Sequence, residues 1–441
     1  MQHILILGIG RSTSYLLDYL NTHLVPNGYV IQAIDVQQEL VAKRQSEFPG
    51  ISFIRSEIHT DTIKISIANT DLVVSMLPPA FHGMVAEICL EYGKHFFTAS
   101  YISKEIKALE TEVKAKGLLF MMECGLDPGI DHMSAMAMIH SLQEKGAVIN
   151  SFESYTGGLI HPFNLNPPWN YKISWNPRNV VLAGQGNAVQ YMEDGIIKIV
   201  PYQRLFTKPS VWKVNEQDVY EGYPNRDSLS YRTLYQLSDT SMFIRGTLRY
   251  PSFCEGWNYL VQLGLTDDTV LLPEDKNRTG RRFLNHFLPS KTEALDIQLQ
   301  ELFSVNWQKA LDYLQALGLT DEIPVISKAA TPAEIIQSIL ESRWSMQAGD
   351  RDRIVMIHRI QYTWNNTPKT LQSTLVVDGK NADYTAMAKT VGLPLAIAID
   401  LFVHGQIRAT GIHIPITKEW YEPILNRLKL LGIVFNEVEE A

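Results

Sequence analysis

The sequence predicts an α/β protein with a Rossmann-like doubly wound parallel sheet, followed by a mixed α/β substrate domain that carries a helical insertion. Three observations lead there. Short β-rich runs alternate with helical patterns over about the first 125 residues, the signature of a parallel sheet with crossover helices. A glycine-rich turn, Gly8-Ile9-Gly10-Arg11-Ser12-Thr13, follows the first run directly. At 441 residues the chain is also too long for one ordinary core, so two or three domains are expected.

Six runs read as strands: HILILG (His3 to Gly8), YVIQAID (Tyr29 to Asp35), ISFIR (Ile51 to Arg55), DLVVSML (Asp71 to Leu77), HFFTAS (His95 to Ser100) and LLFMME (Leu118 to Glu123). The turn after the first is a GxGxxT, and a helical pattern through Leu16, Leu17 and Leu20 follows it. Gly8 and Gly10 permit a tight turn and close approach of backbone N–H groups to a pyrophosphate, whose charge the helix N-terminus favours. Arg11, Ser12 and Thr13 complete the predicted phosphate contacts. Thr13, standing where the third glycine would be, costs some closeness of helix and strand.

Asp35 ends the second run roughly 25 residues beyond Gly10, where a carboxylate accepts hydrogen bonds from the adenosine ribose. Its charge repels a 2′-phosphate, so NAD is predicted, with NADP as the alternative. The fourth run ends in Ser75-Met76-Leu77-Pro78-Pro79. These residues should line the cleft at the carboxyl ends of the strands, beside the nicotinamide half.

From about Asn150 the texture changes to longer β-like pieces, SFESYTGGL, YKISW and IRGTLRY, between Pro/Gly/Asn-rich loops. A more antiparallel domain is expected there. Residues from about Glu255 to Gln347 are rich in Leu, Gln, Glu and Lys at helical spacing and read as a helical insertion. Strand-like RIVMIHRIQYTW and TLQSTLVVDG then complete the middle domain's sheet.

The formal net charge of −8, from 39 basic and 47 acidic residues, offers no footprint for a phosphate backbone. Nucleic acid is therefore excluded as an expected partner, and an anionic metabolite needs a local arginine cluster. Cys89, Cys124 and Cys254 are far apart, with no CxxC and no Cys/His spacing for zinc. No metal site is expected, and a reducing, cytoplasmic setting fits. The chain opens on a strand-like run without the features of a signal peptide. LPLAIAIDLFV (Leu393 to Val403) falls short of the ~20 apolar residues of a membrane span and contains Asp400, so it reads as a buried helix.

The sharpest local pattern is Glu123-Cys124-Gly125-Leu126-Asp127-Pro128-Gly129-Ile130-Asp131-His132, between the last strand and the helical SAMAMIHSL. Asp127 is a ready N-cap and Pro128 suits a first helical turn, so capping alone would account for both. With LPPAFH (Leu77 to His82), TASY (Thr98 to Tyr101), GLDPGIDH (Gly125 to His132), YKISW (Tyr171 to Trp175), YPNRDS (Tyr223 to Ser228), RGTLRY (Arg245 to Tyr250) and AKTVGLP (Ala388 to Pro394), the sequence resembles the saccharopine dehydrogenases of the L-glutamate-forming type. These segments span almost the whole chain in the family's order.

The resemblance implies a dinucleotide-binding domain at 1–127 with 391–441 packing back on it, a mixed α/β substrate domain at 128–254 and 353–390, and a helical domain at 255–352. It implies the family reaction: saccharopine, oxidised nicotinamide cofactor and water give L-glutamate, 2-aminoadipate 6-semialdehyde and reduced cofactor. It places substrate contacts on Ser100, Tyr101, Asp127, Arg226, Thr247, Leu248 and Arg249. Cofactor contacts fall around Ser12, Thr13, Met76, Leu77 and the Ser174-Trp175-Asn176 turn. A homodimer is implied as well.

The chemistry agrees, because saccharopine carries three carboxylates and an Arg fork binds a carboxylate bidentately where Lys cannot. Arg226, Arg245 and Arg249 supply the forks. Proton transfer at the secondary amine needs a nearby acid/base, for which Asp127 and Tyr101 are the candidates. His82 and His132 are expected to be structural. The family often has Cys where this chain has Thr156, and its fungal members lack an acid at the end of the second strand. Two other readings remain at this point: a reductase acting on another secondary amine, such as a carboxynorspermidine-type enzyme, and a non-catalytic sensor of nicotinamide nucleotide. A polyamine site would call for acidic residues in place of Arg226 and Arg249.

Overall fold

Ile4, Leu5, Ile6 and Leu7 are all buried, the continuous apolar run of a strand covered on both faces. In the computed structural model, which describes residues 2–225, 227–290, 293–325 and 330–440, they form β1 (His3–Leu7). It is followed by β2 (Val30–Asp35), β3 (Ile51–Arg55), β4 (Leu72–Ser75), β5 (His95–Thr98) and β6 (Leu119–Met121). Among the described residues the sheet runs β6-β5-β4-β1-β2-β3, with a seventh strand, Gly411–His413, outside β6. Every pairing in it is parallel. The order reverses between β1 and β4, the switch point at which open α/β sheets bind ligands.

Two glycines set the approach of neighbouring elements in this unit. Gly8 has φ +89°, and a Cβ on it would lie 3.0 Å from the Met76 carbonyl oxygen. Gly392 lies in the helix Ala386–Val403, where a Cβ would come within 2.8 Å of Leu16 N in the helix Ser14–His23. That helix of 18 residues is apolar and long enough to cross a membrane by length and composition, but 78% of it is buried inside the fold. Its buried Asp400 accepts from Tyr19 at 2.9 Å and pairs with Arg427 and His404.

Contacts divide the chain into a unit of Met1–Val148 with Leu375–Asn436 and a unit of Ile149–Thr374 with Glu437–Ala441. These contact units change at 148/149, 374/375 and 436/437, whereas the sequence sets domain boundaries at 127/128, 254/255, 352/353 and 390/391. The helix Ile130–Glu144 packs on the helix Lys418–Leu430, which keeps it in the first unit. The change of texture near Asn150 coincides with the first of these divisions.

The second unit holds β7 (Val148–Ile160), β8 (Val189–Glu193), β9 (Ile196–Val200), β10 (Ser210–Lys213), β11 (Val219–Pro224), β12 (Met242–Arg249), β13 (Asp352–Trp364) and β14 (Thr367–Asp378). They join one mixed sheet in the order β10-β11-β12-β7-β13-β14, ending on Asn436–Glu440, with β8 pairing β12 and β9. β12 is antiparallel to β11 and parallel to β7. Asn365 and Asn366, at φ 50° and 60°, make the tight turn between β13 and β14, as a two-residue hairpin requires.

The helical stretch is Phe253–Leu263, Gly280–Leu284, Leu295–Phe303, Trp307–Ala316 and Pro332–Arg343. It belongs to the second unit and closes over a core that includes Trp169, Trp257, Phe283 and Leu340. The expected strand YKISW does not form. Tyr171 and Ile173 are buried, but among the described residues the only backbone bridge of this segment runs from Ile173 to Ser345, and Pro177 starts a helix at once. Alternation there reflects burial without a neighbouring strand.

Candidate active site

At the carboxyl edge of the parallel sheet, Asp35 is buried and accepts from Ile9 N at 2.9 Å and from Gln37 N at 3.0 Å. It braces the glycine turn, and each carboxylate oxygen keeps a lone pair for a ribose hydroxyl. Thr13 is buried and donates to the Gly10 carbonyl at 2.8 Å. No side chain caps the helix Ser14–His23, and no acidic residue stands in its first turn. Nothing lies within 4 Å of the position a Gly10 Cβ would take. An open turn before an uncapped helix N-terminus fits a pyrophosphate. Arg11 is exposed and Ser12 half-buried beside that turn.

At the end of β4, Met76 and Leu77 are half-buried, whereas Ser75 is fully buried with its hydroxyl 2.9 Å from His82 Nδ1. The other ring nitrogen of His82 lies 2.8 Å from the Ser100 hydroxyl. Burial pushes the His82 pKa down to about 4, so the ring is neutral. The link from His82 to Ser100 is not legible in the sequence, because no linear spacing joins residues 82 and 100.

Beyond β5, the Tyr101 hydroxyl donates to Asp127 Oδ1 at 2.7 Å, so the structure brings the two acid/base candidates together. Asp127 does not cap the following helix. That helix starts at Ile130 with Gly129 at the N-cap, and Gly129 N donates to Asp131 Oδ1 at 2.6 Å instead. His132, fully buried, is 2.9 Å from Glu123 Oε2, while Glu123 Oε1 accepts from Ile102 N at 3.0 Å. Its contacts fasten the 123–132 loop to the segment after β5, as a structural histidine would.

In the second unit, Arg245, Thr247 and Arg249 occupy alternate positions of β12 and so share one face. Register sets Thr156 of β7 and Tyr223 of β11 beside Thr247. Thr247 donates to Asn225 Oδ1 at 2.7 Å. The Arg245 guanidinium lies 4.0 Å from the Tyr231 ring centroid. Leu248 faces the opposite way and is buried in the core. Arg226 lies outside the described residues.

Arg249 is the most unusual of these side chains. It is 4% exposed, and its one hydrogen bond among the described residues runs from Nη1 to its neighbour's carbonyl, Leu248 O, at 2.9 Å. Among the described residues its Nε has no partner. Three aromatic rings surround it, with centroids 5.2 Å (Tyr171), 5.6 Å (Tyr223) and 5.1 Å (Phe253) from Cζ. Among the described residues no carboxylate is in ion-pair contact with this permanent cation; Glu221, its register partner on β11, instead accepts from Cys254 N, so the fork has donors to offer. The aromatic box was missed in the sequence, though Tyr171 and Tyr223 head two quoted motifs. Of the Ser174-Trp175-Asn176 turn, Asn176 caps the helix Pro177–Val181, Trp175 donates to Tyr171 Oη at 3.4 Å, and Ser174 is buried.

Comparison with known proteins gives this geometry a family. Residues 4–121 match a family model described as saccharopine dehydrogenase NADP binding domain, and residues 125–433 one described as saccharopine dehydrogenase C-terminal domain. The first unit therefore takes a nicotinamide dinucleotide. The chain is similar to the mitochondrial alpha-aminoadipic semialdehyde synthase of Mus musculus, 33% identical over 98% of this chain and 47% of that protein. It is also similar to the saccharopine dehydrogenase [NADP(+), L-glutamate-forming] of Saccharomyces cerevisiae, 32% identical over 82% of this chain and 83% of that one. The chain spans about half the length of the mammalian synthases it matches. The solved apo histidine-tagged saccharopine dehydrogenase (L-Glu forming) from Saccharomyces cerevisiae superimposes with a TM-score of 0.89 at 29% identity, covering 100% of both chains. On this match of both family models and of a relative along most of its length, the chain belongs to the saccharopine dehydrogenase family.

Proposed function

We propose that the chain is an NAD-dependent saccharopine dehydrogenase, interconverting saccharopine with L-glutamate and 2-aminoadipate 6-semialdehyde by hydride transfer at the secondary amine. The observation that carries the reading is Arg249, a buried guanidinium with no carboxylate in ion-pair contact among the described residues and framed by rings. A substrate carboxylate supplies the missing partner through a charge-assisted bidentate pair. Ser100, Arg226, Arg245 and Thr247 are further candidates for substrate contact.

Gly8, Gly10 and the uncapped helix N-terminus would hold the pyrophosphate, Asp35 the adenosine ribose, and Met76 and Leu77 the nicotinamide end. The bound nicotinamide supplies the hydride acceptor. Asp127, held by the Tyr101 hydroxyl at 2.7 Å, takes the proton that the amine must lose and returns it to the glutamate nitrogen when water has added and the C–N bond breaks. Neutral His82 and the His132–Glu123 contact keep Ser100 and the 123–132 loop in place for that exchange.

The choice of NAD rests on Asp35. A 2′-phosphate next to its carboxylate meets like charge worth about 4 kcal/mol at ~4 Å and an effective dielectric of 20, before screening. The yeast relative is named for NADP(+), so the cofactor ratio is the sharpest arm of the test. Initial rates with saccharopine are expected to favour NAD by at least tenfold in kcat/KM, with homospermidine and carboxynorspermidine inert. Turnover of a polyamine in place of saccharopine would remove the substrate assignment, and a preference for NADP would remove the Asp35 argument alone. A cytoplasmic location, supported by three buried free cysteines, and a homodimer belong to the same proposal, for fractionation and sedimentation to check.

A further inference from the structure

The carboxyl ends of β4 and β5 are linked by a side-chain relay, Ser75 to His82 Nδ1 at 2.9 Å and His82 Nε2 to Ser100 at 2.8 Å. A neutral imidazole has one donor nitrogen and one acceptor. Ser75 decides which is which, because its hydroxyl is fully buried and has His82 as its sole partner among the described residues. With the proton on Nδ1, the Ser75 O–H would be left buried with no acceptor, which is costly. With the proton on Nε2, both contacts have one donor and one acceptor: Ser75 donates to Nδ1, and Nε2–H donates to Ser100 Oγ. The proton of Ser100 is then left over. Ser100 is half-buried, and no protein acceptor for that proton is found among the described residues.

We infer that His82 is a positioning residue, fixed as the Nε2–H tautomer by Ser75, which holds Ser100 as a hydrogen-bond donor to an anionic acceptor, a carboxylate oxygen of the substrate. The inference rests on the reading of the site as one for a carboxylate-bearing amine. It deepens that reading, because a serine with one lone pair engaged by His82 Nε2–H and its own proton free offers a donor that favours a carboxylate, an acceptor, over an ammonium, a donor. Burial supports it by keeping the ring uncharged at neutral pH, which rules out a second ring proton. His82 touches no reacting atom and acts only through Ser100.

Two measurements test it on the full chain. Nitrogen-15 NMR of histidine-labelled protein is expected to show His82 protonated on Nε2 and not on Nδ1, with no substrate present. In kinetics, His82→Met, which removes the donor, is expected to raise the KM for saccharopine about tenfold with kcat within threefold. His82→Gln, whose amide N–H reaches the Nε2 position, is expected to restore most of that loss. A ring protonated on Nδ1, or a Gln variant as impaired as Met, overturns the inference. Should the Met variant fail to fold, the tautomer of the wild-type ring decides. If wild-type protein turns over no saccharopine, the functional reading falls, while the NMR result still stands or falls by itself.

Discussion

Replacing Arg249 by Met is expected to leave the protein as stable or more so, while removing most of its affinity for substrate. The free protein keeps a guanidinium at 4% exposure with one backbone acceptor. Desolvating a cation costs several kcal/mol even after relaxation. Against this stand one hydrogen bond from a charged group, about 1.5–3 kcal/mol, and ring contacts of about 0.5–2 kcal/mol. Methionine fits a volume of similar length, and its sulfur regains about 0.3–1.5 kcal/mol against the aromatic rings. The net expectation is a gain of about 0–3 kcal/mol in unfolding free energy, as when buried ion-pair members give way to apolar residues. Binding moves the other way. Losing one partner of a buried, hydrogen-bonded charge pair costs about 2–5 kcal/mol, so KM should rise roughly 30-fold or more at 1.4 kcal/mol per tenfold. Urea midpoints of both proteins, with and without saccharopine, separate the two effects. A variant less stable by more than about 2 kcal/mol whose KM is unchanged would falsify the argument, since Arg249 would then be a structural residue.

Tyr101→Phe removes the bond to Asp127 while leaving a half-exposed ring in place. Its kcat should fall at least tenfold, less than the roughly 10²–10⁴-fold of a whole acid/base because Asp127 itself remains, and unchanged kcat at saturating saccharopine would exclude Tyr101 from the chemistry. Acid stability should carry the mark of His82. Its pKa is lowered from 6.5 to about 4 in the native state, so the unfolded chain takes up the proton first. The contribution is complete above pH 6.5 and is lost as pH falls towards 4, about 3 kcal/mol in all. The stability difference between wild type and His82→Gln should therefore be constant above pH 7 and shift against the wild type by about that amount on going to pH 4. Parallel curves in that range would mean that the native ring titrates normally.

What the sequence discloses depends on how local the cause is. Strands covered on both faces must be apolar along their length, as β1 and β4 are, whereas the edge strand β3 is marked by the alternation of ISFIR, buried at Ile51 and Phe53 only. The three-residue strand Gly411–His413 carries too little pattern to be seen; it exists because β6 offers it an open edge. Asp127 shows the opposite difficulty. An Asp before a Pro and a helix is equally a cap and an acid/base, and only the helix start at Ile130 separates the two. RGTLRY marks Arg249 as a candidate fork for a carboxylate, yet its aromatic box is assembled from Tyr171 in the segment before Pro177, Tyr223 of β11 and Phe253 of the helix after β12.

The relay through His82 sharpens the same point. Ser75 ends β4, His82 opens the next helix and Ser100 follows β5, and no linear spacing links the three. A parallel sheet links them, because it places the carboxyl ends of all its strands on one edge. The glycine turn after β1, Asp35 at the end of β2, Ser75 and Ser100 therefore share that edge whatever the lengths of the connections. The polar groups there are unequal in what they retain for a ligand. Ser75 and the His132–Glu123 contact have their bonding directed inward, whereas Asp35 keeps spare lone pairs and Ser100 keeps a proton. Function at this edge follows from which hydrogen-bonding capacity the buried partners leave over, and a residue's identity in the sequence does not specify that remainder.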